Sequence, residues 1–328
     1  MSAVMCDYGF QNCSCSFGKT VVLLDWKEGI RAMGLLPKDI DLLSPSDDRI
    51  FKAMMTSPAA KPVLILVSSA IIKRPVVDVL VRNNELPVET TEEKNERFDV
   101  NCLINDNTQA DIEMQSSPME EEAGGGHENL RARCLYNLCD LHSSQPSVGK
   151  SYDKLSQTYQ VMFCGYTIWP ERKNFIHPFS MRHDEDNGLL HDGVRAILIE
   201  LTKLKEVLKK PVEQMTDMEC FSIFLRYADN PDYREIVNKV IESKEGLAVA
   251  GEVLMSISKD ERERAIFRNR RIAQADQESN RITVVRKARA ERDIEIAKNL
   301  ISMNLTLDQI ITATGLTRAE VEALWDAN

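Results

Sequence analysis

Along residues 47–55, DDRIFKAMM, the apolar side chains Ile50, Phe51, Met54 and Met55 recur three and four positions apart, the spacing of one helix face. Asp47 and Asp48 stand where such a helix begins, and acids there suit the positive end of its dipole. Pro58 closes this helix, and an apolar one is predicted over residues 60–72. The period then changes. Residues 76–83, VVDVLVRN, are β-branched and bounded by Pro75 and two asparagines, which predicts a strand. ERFDVNCLI and QADIEMQ alternate apolar and polar positions on either side of NDNT, whose Asn and Asp residues tolerate the left-handed conformations of tight turns. An antiparallel pair is expected from these two.

SSPMEEEAGGGHE reads as a loop, because a charge run and three consecutive glycines give it neither period. LRARCLYNLCDL returns to helical spacing. YQVMFCGYTIW and RAILIEL read as two further strands, separated by the polar FSMRHDEDNGLLHDG, and from about residue 202 the pattern is helical, with breaks at Pro211, Asn230-Pro231 and Gly246. Ahead of all this, residues 1–40 hold a possible strand at TVVLLDW and a short helix ending in MGLL, with no assignable role. The order is helices, three strands, a helix, two strands and a helical final third, without an internal repeat.

Composition narrows the classes. The chain has 328 residues, 43% of them hydrophobic and 28% charged, which suits one large globular domain or two modest ones. A net charge of −10 offers no bulk attraction to a polyanion, so contact with DNA has to come from local basic clusters or a metal ion. The most apolar run, PVLILV continuing to Ile72, is interrupted by Ser68 and Ser69 and is far shorter than the ~20 residues of a membrane span. MSAVMCDYGFQNCSC has neither a basic leader nor an apolar core, and a cytoplasmic location is expected. The eight cysteines are scattered, only Cys6, Cys13 and Cys15 clustering, and they lack the paired spacing of a zinc site. His183, His191 and the other histidines have no metal-site spacing either.

The chemistry centres on the hairpin. Asp99 and Asn101 lie on one face of its first strand, opposite Phe98, Val100, Cys102 and Ile104. The midpoint between Asp99 and Glu113 is Asp106, so a three-residue connection from Asn105 to Asn107 sets those two acids directly across from each other. Opposed residues share a face with Cβ atoms about 4.5–5.5 Å apart. Gln115 points the same way about 6–7 Å further on. Like charges so placed destabilise a sheet, and a divalent cation removes the conflict. Mg²⁺ suits an all-oxygen set, because it is bound by one or two carboxylates together with water and phosphate. A solvated polar sheet face explains the same three residues, and a two-residue turn would separate the pair.

The ordered run LLSPSDDRIFKAMM, VVDVLVRNNELP, EEKNERFDVNCLI, ADIEMQ, RARCLYNLCDLHSSQPSVGKSYDKL and QVMFCGYTIW resembles the recombination-promoting nuclease/transposase (Rpn) family of the PD-(D/E)xK nuclease superfamily, and the likeness extends from about residue 41 to the end. The resemblance implies an α/β fold with a restriction-endonuclease-like αβββαβ core and a helical C-terminal region. It implies a metal-dependent DNA endonuclease that uses Mg²⁺, or Mn²⁺, to hydrolyse phosphodiester bonds in recombination or mobile elements. Asp99 matches the motif aspartate, Glu113 the second acid and Gln115 the position usually held by lysine. Gln115 can orient a water or phosphate but can neither neutralise charge nor take a proton. Lys94, just upstream, is a candidate for the missing positive charge. Asp48 matches an acidic family position, as a further metal ligand or as a helix cap. Arg133, Tyr136, Gln145 and Tyr152 match positions that contact the DNA backbone, Arg133 and Tyr136 being three apart and so on one helix face.

Residues 259–298 carry twelve Lys and Arg among fewer acids, a basic helical arm that could track phosphates or be a solvated, ion-paired helix. Beyond it AERDIEIAKNLISMNL, TLDQIITATG and LTRAEVEALW are predicted as three helices resembling a helix-turn-helix, with capping boxes at Thr306–Gln309 and Thr317–Glu320 and a turn at Gly315. Arg318 there stands among Glu320, Glu322 and Asp326, which favours packing or partner contact over base reading. The expected division is an N-terminal extension over 1–40, a nuclease-like domain over 41–205, a helical region over 206–258, and the arm with its helix-turn-helix-like end over 259–328. DNA is the expected partner, no membrane is involved, and a homodimer would serve double-strand cutting. The rival reading is a catalytically inactive nuclease-fold module that binds DNA or a protein. A regulator acting through the C-terminal helices is a third.

Overall fold

The computed structural model describes residues 34–82, 99–105, 107–117, 127–145 and 151–326. The strand at TVVLLDW, the cysteine cluster, Lys94 and most of the triple-glycine segment lie outside these residues. The chain folds as two compact units, one ending at Ile257 and the other beginning at Ser258.

The first unit opens with α1 (Asp48–Met55) and α2 (Lys61–Ile72). Three strands follow, β1 (Val79–Val81), β2 (Val100–Ile104) and β3 (Thr108–Gln115), then α3 (Glu128–Ser143), β4 (Thr158–Cys164), β5 (Ile176–Phe179) and β6 (Val194–Glu200). Short turns lead to α4 (Asp217–Tyr227), α5 (Arg234–Ser243) and α6 (Glu245–Lys259). The strands form one mixed sheet in the order β1-β2-β3-β4-β6-β5. β3, β4 and β6 run parallel, and the remaining neighbours pair antiparallel. The step from β3 to the parallel β4 needs a long crossover, which α3 supplies.

Helices cover both faces of this sheet. On one face Phe163 of β4 meets Phe51 of α1 at 6.1 Å and Phe221 of α4 edge-on at 5.5 Å. On the other, Leu130 and Cys134 of α3 pack with Met162, Cys164, Ile168, Trp169 and Leu198. Every residue of β3 is consequently buried. The alternation of ADIEMQ suggests a half-wet strand. Its polar face is roofed by α3 instead, and the acids on it are inside the protein.

Three elements differ from the sequence pattern. β1 is three residues long, since Val77 is exposed and the run 76–83 pairs only over Val79–Val81. β5 is not announced by the sequence: it is a four-residue edge strand containing Pro178, which only an edge tolerates. Gly246 falls in the first turn of α6, and the interruption before it comes at Lys244, whose backbone is extended.

In the second unit the arm and the first of the three expected helices are one continuous helix, α7 (Glu261–Ser302), free of Gly and Pro from end to end. It is capped by Asp260 at its start and stops at Asn304, which turns left-handed with φ 60°. α8 (Leu307–Thr314) and α9 (Arg318–Asp326) pack on its C-terminal part through Ala297, Ile301, Ile310 and Val321. Both capping boxes form, and Gly315, at φ 70°, ends α8 in a conformation that only glycine adopts without strain. No described helix is long and apolar enough to cross a membrane.

Candidate active site

β2 and β3 pair with Val100 opposite Ile112, Asn101 opposite Asp111 and Ile104 opposite Thr108. The connection is therefore Asn105 to Asn107, and Asn105 adopts φ 48°. Continued by one residue, this register sets Asp99 across from Glu113. Asp99 is fixed there because its Oδ2 accepts a hydrogen bond from the backbone N–H of Met114 at 3.1 Å.

Glu113 is fully buried and has three donors. Asn137 Nδ2 donates to Oε1 at 2.8 Å, and Oε2 takes Arg133 Nη2 at 3.1 Å and Gln115 Nε2 at 3.3 Å. Arg133 and Asn137 are one helical turn apart on α3, so both can reach down onto one strand residue. Tyr136, three residues from Arg133 on the same helix, is 58% exposed. The positive charge next to the motif acids thus includes Arg133, together with Lys52 of α1, which acts on Asp99.

The helix cap of α1 is Asp47, whose side chain accepts from the N–H groups of Arg49 and Ile50. Asp48 serves a different contact, since its Oδ1 accepts from Ser116 N at 2.8 Å and so ties α1 to the end of β3. β4 approaches the same end through Gly165, whose N–H donates to Gln115 O and where an added Cβ would lie 2.8 Å from Ser116 O. Gln145 is buried at the far end of α3, its amide bonded to Ser156 N, Ser156 O and Thr158 Oγ1. Tyr152 is 83% exposed on a short turn.

Asp111 is an acid the motif does not include. It is fully buried beside Glu113, Gln160 Nε2 donates to its Oδ2 at 2.7 Å, and its Oδ1 has no partner. Burial and the adjoining Glu113 carboxylate push its pKa well up. Asp111 shares the face of Glu113 by simple alternation, and Asn137 stands four residues from Arg133. Both signals were in the sequence, but neither residue type draws attention by itself.

Burial raises the pKa of Asp99 to about 6, with the Met114 N–H opposing, and the charges of Glu113 and Asp48 raising it further. A carboxyl that holds its proton more tightly folded than unfolded costs stability as pH climbs between its two values. The metal-free protein is expected to lose up to about 3 kcal/mol relative to Asp99→Asn between about pH 4 and about pH 6. Urea unfolding of both proteins at either end of that range checks this. A constant difference would contradict it.

Carboxylates crowded enough to raise one another, and a buried carboxylate oxygen lacking a donor, fit a hard cation. Among the described residues no three His, Cys, Asp or Glu side chains gather closely enough to enclose an ion by themselves. An ion here would complete its shell with water and phosphate.

A helix-covered mixed sheet with acids converging from a hairpin, and cations from two helices beside them, defines an α/β protein built around a carboxylate-centred site. The chain belongs to the PD-(D/E)XK nuclease family transposases, whose family profile matches residues 45–283. That membership carries a nuclease-like function linked to transposition. No curated protein and no solved structure matches the chain.

Proposed function

We propose that this protein is a metal-dependent DNA endonuclease acting in recombination or on mobile elements. The observation that carries the reading is the hairpin register, which brings Asp99 and Glu113 to one point at the end of β3. Helices, three strands, α3 and β4 follow in the order of an αβββαβ core, with the nuclease-like part over 41–205. The region 206–258 supports it, and 259–328 forms the arm and the helix-turn-helix-like end.

Asp99 and Glu113 are the metal ligands. Mg²⁺, or Mn²⁺ in its place, would polarise a phosphoryl oxygen and lower the pKa of a bound water. Asp48 holds the end of β3 and adds negative charge near Asp99. Gln115 cannot replace a lysine, because its amide carries no charge. Arg133 stands beside Glu113 and fills that electrostatic role, and Lys94 belongs to the same proposal from outside the described residues. Tyr136 and Tyr152 are exposed and suited to the DNA backbone. Gln145 supports the Ser156 segment from within. A homodimer would bring two such centres to the two strands.

Wild-type protein is expected to nick supercoiled plasmid with Mg²⁺ and to stop when a chelator removes it. Binding of plasmid without nicking at any Mg²⁺ or Mn²⁺ concentration would favour the second reading, an inactive nuclease-fold module. The net charge of −10 and a Glu113 already engaged by three donors support that second reading.

A further inference from the structure

A carboxylate offers four lone-pair directions, two on each oxygen. In Glu113, Oε2 receives both Arg133 and Gln115, whereas Oε1 receives Asn137 alone. The direction left is on Oε1. A cation could meet the carboxylate there, and so could the carboxyl of Asp111, which lies within hydrogen-bonding reach of Glu113. Asn137 is itself 6% exposed, on a helix whose packing against β4 and β6 leaves its amide little freedom.

Resting on the nuclease reading above, we propose that Asn137 is a positioning residue, which turns Oε1 of Glu113 toward the divalent ion and fixes a one-oxygen mode of ligation. Nothing in the motif assigns it a role. Arg133 and Gln115 occupy the other oxygen, so a bidentate Glu113 would have to break one of those bonds. Without Asn137 the carboxylate is held on one side only and can swing toward Arg133. Groups that orient a metal ligand this way typically change metal affinity by about 10–100-fold when removed.

The test titrates Mn²⁺ calorimetrically into the full chain as wild type, Asn137→Leu and Asn137→Ser, with thermal melts of each and nicking measured across Mn²⁺ concentration. The expected result is a dissociation constant raised about 10–100-fold in both variants. Half-maximal nicking should shift by the same factor, and the rate at saturating Mn²⁺ should return close to that of wild type. A purely packing role would lower the melting temperature without that shift. A folded variant whose Mn²⁺ affinity stays within about threefold of wild type overturns the proposal, and Asn137→Ser decides it if Asn137→Leu does not fold. Wild type that binds and nicks beside unchanged variants removes only the role of Asn137. Wild type that does neither removes the nuclease reading with it.

Discussion

Glu113→Gln is expected to reduce Mg²⁺-dependent nicking by about 10³-fold or more, since a bound metal contributes several kcal/mol of charge stabilisation and each 1.36 kcal/mol is tenfold in rate. Glutamine keeps the volume and an acceptor oxygen for Asn137 Nδ2, but its NH₂ group then faces both Arg133 and Gln115, and although the Gln115 amide can turn its oxygen toward it, Arg133 cannot. The loss of stability should be modest, about 1–3 kcal/mol, because one buried donor is left poorly paired. Alanine is a worse probe, for it strands Arg133 and Asn137 together. A Glu113→Gln protein that folds and nicks at more than a tenth of the wild-type rate would place the chemistry elsewhere.

The largest effect on stability is expected at Glu200, far from the motif in sequence. It is fully buried at the end of β6, and one of its oxygens takes the backbone N–H groups of Ile168 and, at 3.0 Å, Trp169. The other lies 2.6 Å from His177 Nε2 and 2.5 Å from Lys203 Nζ. Burial alone would raise its pKa, but hydrogen bonds from Lys203, Trp169, Ile168 and His177 bring it below the ordinary carboxylate value. It therefore adds stability at neutral pH that is lost as pH falls. Through it β6 fastens both β5 and the turn leaving β4. Glu200→Ala leaves His177 and the backbone donors of Ile168 and Trp169 buried without their acceptor, while Lys203 keeps the carbonyls of Trp169 and Arg172, and removing one partner of a buried charged pair costs about 3–5 kcal/mol. Urea unfolding measures this directly. A loss below about 1 kcal/mol would mean that the cluster is wet or replaceable.

Where periodicity was strong, the sequence was legible. The faces of α1 and α2 followed from apolar spacing, and the hairpin register followed from the midpoint at Asp106 with left-handed-tolerant residues around it. The capping boxes at Thr306 and Thr317 could be read directly, because each depends on residues only three apart. Illegible features came from tertiary contact. Nothing in ADIEMQ says that α3 will cover its polar side, which makes Asp111 and Glu113 interior acids. Nor could the sequence choose between Asp47 and Asp48 as the cap, since that depends on Ser116 standing in reach of Asp48.

The same limit applies to the cations. Local sequence offers Lys94, which lies outside the described residues, and folding brings Arg133 and Lys52 beside the acids from two different helices, which no local reading could supply. At the other end of the chain, Arg318 is spent on Asp308 at 2.6 Å and on Glu322 at 3.8 Å, so α9 presents its arginine already paired with acids.

If Asp99 and Glu113 share one divalent ion, crystals grown with Mn²⁺ and measured for its anomalous scattering will reveal it most directly. A single strong peak is expected about 2.1 Å from a carboxylate oxygen of Asp99 and from Oε1 of Glu113, with Arg133 still on Oε2. Density lacking any such peak at saturating Mn²⁺, or a peak held by other residues, would contradict the shared site.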